Sequence, residues 1–173
     1  MLKRTLLVLL ATVLIAPATI AQKRNRSSAT KPTPPAAAAQ RVAQVRTAGA
    51  NRVADQIKFL AKFIYLLGGA NSNLAAVDES IRRKEAGPDA AQKNQLAKTQ
   101  IKTSIIGFRE ALDKLEIDFR ATPELQPYYI KLAGVASGAA TAEQQAANNQ
   151  FDAAGRSLLA VVNRLADVLV AMR

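Results

Sequence analysis

The chain has 173 residues, 24 Lys or Arg against 13 Asp or Glu, a formal net charge of +11, and neither Cys nor His. The missing thiols and imidazoles exclude thiol nucleophiles, disulfides, Cys- or His-based zinc sites and imidazole or covalent haem attachment. The length fits one domain, but the charge is lopsided: nine cations and no acid fall in the first 54 residues, while the other 119 are close to balanced.

Residues 1–21 read as a secretory signal peptide. Met1-Leu2-Lys3-Arg4 is a basic start, Thr5 to Ala16 is an apolar run, and Pro17 breaks it. Thr19 and Ala21 then supply small residues at the −3 and −1 positions of a cleavage site after Ala21, with Ala18 as the alternative. The apolar run is well short of the ~20 residues that span a bilayer as a helix. An exported chain of this size without disulfides suits a bacterial periplasm or cell envelope better than a small secreted eukaryotic module.

Residues 22–39 read as a disordered basic linker. They contain Lys23, Arg24, Arg26 and Lys31, then Pro32, Pro34, Pro35 and a run of alanines. No large apolar side chain is there to offset the entropy of ordering the segment. The prolines favour an extended, stiff spacer.

From Gln40 to Arg173 the apolar residues recur at helical spacing, which predicts an all-α domain: an antiparallel bundle of three long and two short helices. The first helix carries the stripe Val42, Val45, Gly49, Val53, Ile57, Leu60, Ile64, Leu67 and is expected to end at Gly68-Gly69. Arg41, Arg46 and Arg52 lie in its first half. A cation in the first turn of a helix opposes the macrodipole, so Arg41 signals either a use elsewhere or a frayed helix end, and a solvated tail that keeps an exported protein soluble is the plainer reading of the charge. The second helix is short, with Leu74, Val77 and Ile81 inward. Arg82-Arg83-Lys84 at its end favours the dipole and reads as helix-end chemistry rather than a binding patch.

Gly87-Pro88-Asp89 makes the next break. The third helix is expected from Asp89 to Arg120, with the stripe Ile101, Ile105, Phe108, Leu112, Leu115, Phe119. Thr122-Pro123-Glu124 is a helix-start signal, and Pro127 distorts the first turn of a short fourth helix through Tyr128, Tyr129, Leu132 and Val135 to Ser137. Gly138 marks a break, and Thr141 with Gln144 forms a capping box for the last helix. That helix carries Phe151, Gly155, Leu158, Val162, Leu165, Leu169, Met172. Asn163, Arg164 and Asp167 interrupt its apolar second half, which is also too short to span a membrane.

In size, export signal and helix pattern the chain resembles the periplasmic four-helix cytochromes. Their haem-binding Cys-x-x-Cys-His, or a Met and His axial pair, has no counterpart here, and beyond the signal peptide Met172 stands alone. No haem, other cofactor or metal is therefore expected. Ser28-Ala29-Thr30-Lys31 matches the Ser-x-x-Lys pattern of some acyl-transfer enzymes, but in a disordered linker it would hold no nucleophile and base in register. Glu110, Asp113 and Glu116 read as a solvated helix face.

The sequence thus leads to an exported, non-enzymatic interaction or scaffold module. Lys23, Arg24, Arg26, Lys31, Arg41, Arg46 and Arg52 are its candidate contacts with an anionic envelope surface: lipid, lipopolysaccharide or cell wall. Tyr128 and Tyr129 are a candidate interface for a protein partner, one ring inward and one at the rim, since tyrosine buries a ring and keeps a polar tip. A small-ligand site between helices is an alternative. Sequence-independent nucleic-acid binding is another, disfavoured by export and by a tail with no aromatic side chain for base stacking. The 3-4 stripes serve a seam within one chain or between copies equally well.

Overall fold

The computed structural model describes residues 34–173, so the expected signal peptide and residues 22–33 of the expected linker lie outside the described residues. The described residues form five helices and no strand: α1 (Pro34–Arg82), α2 (Pro88–Ala121), α3 (Gln126–Leu132), α4 (Val135–Ala147) and α5 (Phe151–Ala171). Helices α1, α2, α4 and α5 make a four-helix bundle in which α1 packs on α2 and α5, and α4 also packs on α2 and α5. The short α3 closes one end against α2 and α5.

The stripes meet as their spacing demands. Val53, Leu60, Leu67 and Leu74 of α1, one heptad apart, are all buried, as are Ile105, Leu112, Leu115 and Phe119 of α2. Phe151, Leu158, Val161, Leu165 and Val168 of α5 complete the core with Ala139, Ala142 and Ala146 of α4. Each large apolar side chain taken out of water contributes about 1.5–3 kcal/mol, and this burial holds the helices together. The alanines of α4 let it sit close to its neighbours.

Helix α1 is far longer than the bundle it belongs to. Its 49 residues span about 74 Å, against about 32 Å for the 21 residues of α5. Gly49 faces Met172 and Leu67 faces Gly155, which fixes the antiparallel register of α1 against α5. An N-terminal arm, residues 34–44, therefore projects past one end, since Val45 already packs against the core. The far end of α1 and the start of α2 project past the other as a two-helix tip.

Several expected boundaries are corrected. Residues 34–39, expected as linker, are the first turns of α1. Gly68-Gly69 does not end a helix; α1 runs through it, because Leu67, Asn71 and Leu74 continue the stripe across the glycines. The burial of Leu67 and Leu74 outweighs the roughly 1 kcal/mol per glycine lost in helix propensity. The expected first and second helices are thus one. Gly138 lies inside α4, and its hydrogen is needed for packing: a Cβ there would stand 2.7 Å from Val161 Cγ2. Thr141 is no cap; its hydroxyl donates to the Ser137 carbonyl one turn back, at 3.1 Å. The real divisions are Ala133-Gly134, with Gly134 at φ 95°, and Asn148-Asn149-Gln150, with Asn149 at φ 60°. Both are left-handed positions of the kind glycine and asparagine accept.

The α3–α4 joint is held from two sides. Glu116 Oε1 of α2 accepts from the Gly134 and Ala136 backbone N–H groups at 2.9 and 2.8 Å, capping α4 in place of a local residue. Arg164 Nε of α5 donates to the Lys131 carbonyl at the end of α3, at 3.2 Å. Glu116 is thus a half-buried helix cap and not part of a solvated face. Glu116→Ala is expected to cost about 1–2 kcal/mol in urea unfolding, whereas Glu116→Gln, which keeps an acceptor oxygen, costs clearly less.

Candidate basic surface and the tyrosine end

The cationic candidates divide into three groups. Lys23, Arg24, Arg26 and Lys31 lie outside the described residues. Arg41 on the N-terminal arm of α1 and Arg46 at its base are exposed and pair with no acid among the described residues. Five residues of α-helix separate them by about 140° around the axis, so they present charge on different sides of the arm. The arm is open around much of its circumference because Val45 is the first large apolar side chain of α1 to pack against the core.

Arg52 is tied to the bundle. Its Nη1 donates to Asp118 Oδ2 of α2 at 2.7 Å, and its guanidinium lies 5.9 Å from the Phe119 ring centroid. An outside anion would have to compete with that carboxylate. With Arg52 and Asp118, the side chains of Asp55, Gln56, Phe59 and Lys114 line a surface groove of about 420 Å³ over Ala111 and Leu115. The groove has two carboxylates and two cations on its walls, a self-compensating arrangement.

Tyr128 and Tyr129 are both half-buried against the core, in place of the expected inward and rim pair. They sit on the short, seven-residue α3, with Pro127 ahead of them at the helix start. The exposed apolar residue of this end is Ile130, at 79% exposure, which the sequence stripe gave no reason to single out. Other exposed apolar side chains lie on α1, where Tyr65 is 82% exposed and Phe59 and Leu66 more than half so.

Among the described residues no three His, Cys, Asp or Glu side chains gather as a metal site would require, and no helix is long and apolar enough to cross a membrane. No family model matches the chain, and no curated protein or solved structure matches it.

Proposed function

We propose that the protein is an exported, periplasmic or cell-envelope interaction module without enzymatic activity, whose basic N-terminal segment contacts an anionic envelope surface. The observation that carries this reading is the coincidence of charge and geometry. The cation-only segment leads directly into the N-terminal end of α1, which projects beyond the bundle without a partner helix, and Arg41 and Arg46 pair with no acid among the described residues. Each Lys or Arg near an anionic membrane contributes about 1 kcal/mol, so a few engaged at once give useful attraction without any shaped pocket. The bundle would stand off from the surface and offer its own faces, the Tyr128-Tyr129 end among them, to a protein partner.

Sedimentation of the chain lacking residues 1–21 with lipid vesicles tests this. Binding is expected to vesicles rich in phosphatidylglycerol and not to phosphatidylcholine alone. It should weaken steeply as salt shortens the Debye length from about 30 Å at 0.01 M to about 8 Å at 0.15 M. Equal binding to both vesicles would point instead to an apolar contact, and no binding to either at low salt would remove the surface reading.

A further inference from the structure

We propose that the projecting α1–α2 tip is a hinged hairpin that swings as a unit about Gly68-Gly69 in α1 and the Thr103-Ser104 stretch of α2. The four-helix section ends at this height. Two exposed contacts tie the base of the tip to it, and a swing releases them: Asn71 Nδ2 donates to Asp152 Oδ1 at 2.7 Å near the start of α5, and Lys102 Nζ donates to the Ala147 carbonyl at the end of α4, at 3.1 Å. Beyond those contacts, Leu74 and Asn94 are the buried residues of the tip.

Both strands of the hairpin are weakened at the same level. The Phe63 and Phe108 rings lie 5.1 Å apart and Asn94 reaches Asp78, a register that sets Gly68-Gly69 opposite residues 102–104. The two glycines are exposed and a Cβ on either would meet nothing within 4 Å, so close packing does not explain them. Across from them Ser104 Oγ donates back to the Gln100 carbonyl at 2.9 Å, and one turn further into the tip Thr99 Oγ1 donates to the Gln95 carbonyl at 2.9 Å. Hydroxyls bonded one turn back loosen and bend helices, and kinks gather at Gly and Ser pairs.

The tip itself is clasped. Lys98 Nζ donates to both oxygens of Asp78 at 2.6 and 2.7 Å, and Asn94 Nδ2 donates to Asp78 Oδ1 at 2.7 Å. Asn94 Oδ1 is buried in the seam without a hydrogen-bond partner. A polar layer in a helical seam lowers stability but fixes which residues pair, which keeps the two strands together as they move. Swinging the tip carries the loop after α1 across a range of positions while the four-helix section stays fixed.

The chain has no cysteine, so spin labels can be placed without background. Glu85→Cys in the loop and Asn163→Cys on the exposed side of α5 give one label on each body, and pulsed electron paramagnetic resonance reads the distance between them. A broad distribution is expected, narrowing when Gly68→Ala and Gly69→Ala are added. Amide exchange across residues 66–72 of the unlabelled chain is expected to slow by roughly thirty-fold with the same alanine pair, the combined effect of two helix-propensity gains. A narrow distribution with the glycines present, or a broad one that the alanines leave unchanged, would overturn the hinge.

Discussion

Replacing Phe119 with alanine is expected to lower the unfolding free energy by about 3–5 kcal/mol, read from the urea midpoint at unchanged slope. Phe119 is wholly buried near the end of α2, where the helix turns towards α3. Truncation would empty a ring-sized volume among side chains that cannot all relax into it, and the cavity adds to the lost transfer energy. The ring also supports the Arg52 guanidinium, which bridges α1 and α2 through Asp118. Arg52→Ala removes only that exposed bridge and the contact with the ring. Both groups of the pair keep substantial solvent contact, 44% and 38% for the side chains, so its loss is expected to cost about 1 kcal/mol or less. A Phe119→Ala loss no larger than that of Arg52→Ala would mean that the α1–α2 seam is not the core described here.

That comparison separates what is legible in a sequence from what is not. Helix α2 was expected over Asp89–Arg120 and spans Pro88–Ala121, because proline at its start and Pro123 after its end act through the backbone whatever surrounds them. The buried stripes of α1 and α5 were equally readable, since a 3-4 pattern needs no knowledge of the partner. Glycine misled. Gly68-Gly69, Gly134 and Gly138 look alike in sequence, yet one pair lies in an unbroken helix, one ends α3 and one admits Val161. Which role applies depends on contacts from residues far along the chain. Asn148-Asn149 carried a usable turn signal, overshadowed by the capping pattern at Thr141.

The candidate site was legible to a similar depth. Arg41 and Arg46 sit off the stripe, and their exposure follows from that alone. The capture of Arg52 by Asp118 and the use of Glu116 as a cap for α4 depend on partners at least 18 residues away, which no local pattern reports. Both half-buried tyrosines reflect the shortness of α3: a seven-residue helix laid across α2 and α5 turns more than one face towards them.

The charge at the N-terminus carries the proposed function, and removing it has the other large expected effect. Deleting residues 22–39 takes away Lys23, Arg24, Arg26 and Lys31. At about 1 kcal/mol each near an anionic surface, their loss lowers affinity by up to roughly a thousandfold at low salt. The first buried position of α1 is Gly49, so the bundle should melt at nearly the same temperature with or without the segment. The decisive measurement is sedimentation with phosphatidylglycerol vesicles of the chain lacking residues 1–21, compared with the same chain also lacking residues 22–39, at low and high salt. The surface reading predicts that the longer form binds at low salt, that high salt releases it, and that the shorter form, which keeps Arg41 and Arg46 but not the cations ahead of them, binds far more weakly while fully folded. Equal binding by both forms would place the contact on the bundle and contradict the account.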